Sequence, residues 1–344
     1  RYWRDWSSDV CSSDLAALLR AAGVALVVLL SQRGPSGAGA GRESGGGVSG
    51  SRLPAGVPVG EAVETILDAA QARIRAGQHE EASRILGEGV RTYPEQQPLR
   101  LAYAETLVAL SRPAEAYDQF VAALTIGPRT GATEFAAGTM ARLTERPGLA
   151  IEHYVAAQTA DPGNPIYPLY LGQVQRSEGL VEEAKASLLR VVNLQPENAI
   201  AWGTLADIWL GENKLDLAMQ HIGKARQLEP LVGTWRLIEA RILKRQSKPE
   251  EALLVMEGLS ETERRQLQYA RLIAECHAMR GEMERAVDGV VRASEASPMD
   301  ADLAIEAAVW LQRIDRIDEA RACARRAQML GSDRAAEILA GLGE

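Results

Sequence analysis

Side chains able to do covalent or metal chemistry are few in this chain and stand far apart. His79, His153, His221 and His277 are separated by tens of residues, and none has a second ligand at metal spacing. Each reads as a helix-surface or half-buried histidine. Cys276 and Cys323 lie 47 residues apart and, with Cys11, make neither a CxxC pair nor a disulfide framework, so the first two read as single buried thiols. The run Gly45, Gly46, Gly47 follows no strand pattern and opens no helix, as a phosphate-cradling loop would have to. Acidic residues outnumber basic ones by 46 to 38, a formal net charge of -8 that argues against general nucleic-acid binding. No catalytic residue, metal site or cofactor is expected.

The order in the sequence is of another kind. Counted from Val63, residues 63–334 repeat with a period of 34, and eight such units fill the span, since eight times 34 is 272. The twentieth place holds Ala82, Ala116, Ala150, Ala184, Ala218, Ala252, Ala286 and Ala320. The eighth holds Ala70, Ala104, Gly138, Gly172, Ala206, Ala240, Ala274 and Ala308. The thirty-second is proline in six units, at Pro94, Pro128, Pro162, Pro196, Pro230 and Pro298. Each unit carries two amphipathic helical patterns split by a turn that is often Gly-polar or contains proline. Small residues at the eighth and twentieth places let the two backbones approach, and larger ones such as Leu86, Phe120, Tyr154, Leu188, Ile222 and Met256 fill the remaining space. The late proline cannot continue a helix. One helix pair has apolar surface left over and must stack on a neighbour.

These features resemble the tetratricopeptide repeat family, most closely in repeat five, with Trp202, Leu205, Ala206, Trp209, Ala218, Ile222, Ala225 and Pro230. The resemblance implies an all-α solenoid, a right-handed superhelix of helix–turn–helix repeats, and it leaves the function open. Three local departures are predicted. Arg73 takes an apolar place, as suits an end repeat. In repeat six Arg264 replaces the late proline; Ser260 to Glu263 read as a capping box after a stop at Gly258, so that the second helix is short and the next starts early. After repeat eight Gly331 reads as a helix stop and Ser332 as a cap for a closing helix over about 333–340, whose Ile338 and Leu339 cover the last apolar face, with Glu344 as the natural end.

Function is then expected on a surface. On each first helix the second, fifth, ninth and twelfth places lie well over a right angle from the core-facing places. The resemblance implies that this face lines a concave peptide groove. Its early part is mostly apolar, with Leu67, Ile74, Leu101, Val108 and Phe135; its later part is largely basic, with Arg142, Arg176, Arg241, Lys244 and Arg271, among Gln173, Asp207, Leu237 and Glu275. A basic stripe in an acidic chain points to an acidic peptide, laid along repeats two to seven. The carboxylate clamp of the chaperone-binding subclass is not matched, because its places here hold Leu, Gln, Glu and Thr.

Ahead of the array, residues 5–15 resemble a translated sequencing adapter, and residues 1–15 are set aside as an artefact, so that true N-terminal sequence is expected to be missing. Residues 16–30 are strongly apolar, but their uninterrupted part, 21–30, is ten residues, half of what spans a bilayer. That suits a signal peptide, with Arg20 before it and Ala38-Gly39-Ala40 as a cleavage site, or a signal anchor. Residues 31–58 are a Gly/Ser-rich flexible tether, and 59–344 form the array with its cap. The reading is a non-catalytic scaffold for a protein or peptide partner, with no nucleic acid, touching a membrane only through its N-terminal segment. The bacterial envelope, by anchoring or export, is the expected location. Two alternatives stay open: a recruiting arm of a larger enzyme, and a self-associating envelope component.

Overall fold

A computed structural model describes residues 58–343, so the segments read above as artefact, signal and most of the tether lie outside the described residues. Two compact units divide at Arg190 and Val191. The N-terminal unit holds the helix pairs α1 (Val59–Arg75) and α2 (His79–Thr92), α3 (Gln97–Ala109) and α4 (Pro113–Ile126), α5 (Gly131–Leu143) and α6 (Pro147–Ala160), then α7 (Ile166–Ser177). The unit boundary falls within α8 (Val181–Leu194). The C-terminal unit continues with α9 (Ala199–Gly211), α10 (Leu215–Leu228), α11 (Gly233–Arg245), α12 (Pro249–Glu257) and the single turn α13 (Glu261–Arg264). It ends with α14 (Leu267–Met279), α15 (Met283–Ala296), α16 (Ala301–Arg313), α17 (Ile317–Met329) and α18 (Arg334–Gly341). The architecture is all-α, one helix pair per repeat, stacked as a solenoid.

Side-chain size sets the helix spacing. All eight alanines of the twentieth place are fully buried, at 0 % exposure. The eighth place faces the large residue of the partner helix. A Cβ on Gly138 would sit 2.8 Å from the Tyr154 ring, and one on Gly172 would sit 2.9 Å from Cγ of Leu188, so these two pairs tolerate only glycine without a shift. The turn between the helices is equally periodic. Its residue at the fifteenth place is left-handed in every repeat, at Gly77, Ser111, Glu145, Gly179, Asn213, Ser247, Gly281 and Asp315, although only three of these are glycine. Pro113, Pro147 and Pro249 open their helices at the first turn, where a missing N–H costs nothing.

Two of the local expectations need correction. In repeat six the helix is short, with nine residues in α12, and the Ser260–Glu263 capping box is formed. It does not start the next helix early. It opens α13, which stops because the Arg264 guanidinium turns back onto the carbonyls of Leu259 and Glu257 and Gln266 is extended; α14 then begins in register at Leu267. At the other end Gly331 is the helix stop, at φ +87°, but Ser332 does not cap. Its N–H closes back on the Ala327 carbonyl, and Asp333 precedes α18 without a side-chain cap. The cap still covers the array's end, with Ala335, Leu339 and Leu342 buried.

The core clusters of these helix pairs are built from repeat residues and the closing helix, with neighbour-to-neighbour stacking. Residues 58–344, expressed without the preceding sequence, should therefore fold by themselves. Circular dichroism should report a helical spectrum and a cooperative melt, and a non-cooperative or coil-like trace would count against this account.

Candidate functional site

Within each unit the face formed by the second, fifth, ninth and twelfth places can be followed along the first helices. In the C-terminal unit its charges are paired across repeats. Arg241 of α11 donates from Nη1 to Asp207 Oδ1 of α9 at 3.1 Å. The Lys244 ammonium, also on α11, meets the Glu275 carboxylate of α14. Arg271 of α14 donates to Glu306 Oε2 of α16 at 2.6 Å, and the same carboxylate takes the Trp310 indole N–H at 3.0 Å. Three cations thus face three carboxylates, each from an adjacent repeat. Of the cations expected to form a basic stripe, the three in this unit, Arg241, Lys244 and Arg271, are each closed into a pair with a carboxylate. Glu306 escaped the sequence reading because it stands at the sixth place, one step round the helix from the groove places.

This face is also closed sterically at its fifth places. Gly203 lies under the Trp235 ring, where a Cβ would come within 2.1 Å of Cζ3. Leu237, expected on the groove, is buried at 5 % exposure in the core cluster of Met256, Leu259 and Leu272. Asp207, at 4 % exposure, is likewise beneath the surface rather than on it.

The N-terminal unit presents a different face. Leu101 and Val108 of α3 and Phe135 of α5 are half-buried, packed on the core cluster but still reaching solvent. The Phe135 ring sits among three tyrosines, with centroids 5.4 Å from Tyr154, 5.4 Å from Tyr167 and 5.1 Å from Tyr170. Edge-to-face and tilted contacts of this kind hold an aromatic ring firmly. Arg142 reaches the Tyr154 hydroxyl, which also lies 3.3 Å from Thr139 Oγ1. Gln173 and Arg176 of α7 are half-buried at the same face. Between Leu101 and Val108 stands Glu105, which the reading by residue type passed over. It is half-buried, and burial pushes its carboxyl up to about 7. The signal was present in its register, a carboxylate at a ninth place with Ile74 and Thr139 at the flanking places.

A second set of titratable groups lies between repeats two and three. Glu134, at 1 % exposure, accepts from Arg129 Nε at 2.7 Å and contacts His153 Nδ1 at 2.8 Å, while His153 Nε2 lies 3.3 Å from the Tyr117 hydroxyl. The order carboxylate, imidazole, hydroxyl is that of an acid–base relay. Here the Tyr117 ring is covered by the Arg146 guanidinium at 4.2 Å, and the chain of bonds ties repeats two and three together. Burial pushes the Cys276 thiol up to about 11 and raises that of Cys323, which keeps both in the unreactive thiol form. Among the described residues no three His, Cys, Asp or Glu side chains converge on a metal position, and no helix is long and apolar enough to cross a membrane.

No protein-family model matches the chain, and no curated protein matches it in sequence. Its likeness is to solved structures. A tetratricopeptide repeat protein from Parabacteroides merdae, 17% identical, aligns over 72% of this chain and 99% of its own, with a TM-score of 0.59. A structure solved in a functional characterisation of Pseudomonas aeruginosa PilF, 19% identical, aligns over 63% of this chain and 99% of its own, with a TM-score of 0.51. At these identities the likeness is one of fold.

Proposed function

Since the chain is an α-solenoid of tetratricopeptide repeats, we propose that it is a non-catalytic interaction scaffold whose first-helix face in the N-terminal unit takes an extended segment of a partner protein. The observation that carries this reading is the contrast between the two faces. In the C-terminal unit the charges are closed into pairs and the fifth places are filled. In the N-terminal unit Leu101, Val108 and Phe135 keep apolar surface open to solvent on rigid helices, which is the form a preorganised peptide site takes. An acidic partner is no longer favoured, because Arg241, Lys244 and Arg271 already have carboxylates. A tether through residues 16–30, by signal anchor or by export, belongs to the same proposal and would hold the array beside a bacterial-type membrane through the Gly/Ser-rich segment that follows.

The location of binding can be tested directly. A photo-crosslinking residue placed at Leu101 or Ile74 should capture a discrete partner in cells, whereas the same residue at the exposed Val155 of α6, on a second helix, should capture none. Adducts formed equally from Val155, or from Val155 alone, would move the site off this face.

A further inference from the structure

We propose that the bound segment presents a lysine or arginine side chain between apolar ones, and that the Glu105 carboxylate is its counter-ion. This rests on the reading that the first-helix face of the N-terminal unit takes an extended segment. The ninth place occupied by Glu105 on α3 is the place that carries Asp207 and Glu275 in the C-terminal unit. There the two acids are met by Arg241, from the ninth place of the following repeat, and by Lys244, from the twelfth place of the preceding one. The corresponding places around Glu105 hold Thr139 and Ile74. Thr139 gives its hydroxyl to the Phe135 carbonyl at 2.9 Å, and Ile74 has nothing to give. In this unit the acid is kept and both cations are gone.

Among the described residues Glu105 makes no hydrogen bond and no ion pair. A half-buried carboxylate without a partner is unfavourable, and burial alone raises its pKa; no neighbouring charge contributes. The charged groups on the same face of the flanking first helices are Glu64 of α1, exposed and two turns away along the register, and Arg142 of α5, which is engaged with the Tyr154 hydroxyl. Helices α2 and α4 pack on the core-facing side of α3, and their ion pairs, Arg84 with Glu81 and Glu88 and Arg112 with Glu115, are satisfied locally. A ligand ammonium or guanidinium would supply the missing charge-assisted hydrogen bond. Leu101 and Val108, one turn to either side, would receive its aliphatic stem and its apolar neighbours.

The experiment uses the full chain and an immobilised peptide array whose central residue is Lys, Arg, norleucine or Glu and whose flanks sample apolar residues. The wild-type protein should bind the Lys and Arg peptides about tenfold more tightly than their norleucine counterparts, and the Glu peptides least. Glu105→Gln should remove the preference while leaving norleucine binding in place. In the wild type the preference should grow from about pH 6 to about pH 8, as the carboxyl ionises, while norleucine binding stays level. Glu105→Leu should melt at a higher temperature than the wild type, because a carboxyl without a partner has been removed. Peptide binding without regard to the central charge, or a preference that survives Glu105→Gln, overturns the assignment of Glu105 and leaves the groove standing. Failure of every peptide overturns the groove reading with it. A lower melting temperature for Glu105→Leu would make the carboxyl a structural group, which also overturns the proposal.

Discussion

Ala218→Leu should lower the stability of the array by about 3 kcal/mol, the upper end of what overpacking costs. Ala218 is at 0 % exposure on α10, in a core cluster with Ala206, Ile222, Ala225, Trp235, Ile238 and Ile242. Its partner helix α9 presents Ala206 at the eighth place, also at 0 % exposure and in the same cluster, so small residues stand on both sides of the helix contact. Three added carbons have no space to enter. Room can come only from sliding α9 away from α10, and that movement would strip Trp235 and Ile242 of the next repeat from the same cluster. Because each repeat is stabilised by its neighbours, the loss would spread along the stack. Guanidinium unfolding followed by circular dichroism should show the shift, with Ala218→Ser as a near-neutral control of similar size. A leucine variant that unfolds at the wild-type midpoint would mean that the twentieth place is not the close contact described here.

That prediction was available from sequence, and so was most of the fold, because a period stated eight times over-determines its own meaning. Alanine at every twentieth place can only reflect a steric limit, and the burial of all eight agrees. The left-handed turn was legible at Gly77, Gly179 and Gly281. It was not legible at Ser111, Glu145, Asn213, Ser247 and Asp315, whose residue types do not announce the conformation and which adopt it because the flanking helices dictate the turn. The same limit explains repeat six. A capping box marks where a helix can start, but whether that helix continues depends on Arg264 reaching back over Leu259, a contact that no local pattern encodes.

The surface was legible by residue type and not by partner. The groove places could be counted out, yet Leu237 is buried and Gly203 lies under a tryptophan of the following repeat, because the offset between neighbouring repeats decides what each place meets. Charges show the point most clearly. Arg241, Lys244 and Arg271 look like a basic stripe when read along single helices, and become neutral once the 34-, 31- and 35-residue separations to Asp207, Glu275 and Glu306 are closed in space. Glu105 is the converse case, an unremarkable acid along its own helix that stands out only when its register neighbours are compared with those of Asp207 and Glu275.

Reversal of the two α11 cations, Arg241→Glu with Lys244→Glu, is therefore expected to act on stability first. The carboxylate introduced at position 241 would face Asp207, which is 4 % exposed and cannot turn out to water. The one introduced at position 244 would face Glu275 at contact distance. The first clash carries most of the effect, because a buried carboxylate that loses its cation is strongly destabilising, whereas the second pair is partly solvated and worth less. Together they should cost about 3 kcal/mol by denaturant unfolding, with part of the loss recovered at high salt as the like charges are screened. Adding Glu275→Lys to the reversed protein restores one pair in the opposite sense, and should return about 1 kcal/mol or less. That recovery separates a specific cross-repeat pair from a general change in net charge, since Glu275→Lys in the wild-type background should instead destabilise by placing two lysines together. If the doubly reversed protein unfolds at the wild-type midpoint and Glu275→Lys is neutral in both backgrounds, the cations are solvated rather than paired, and the C-terminal unit regains a basic face open to an acidic segment.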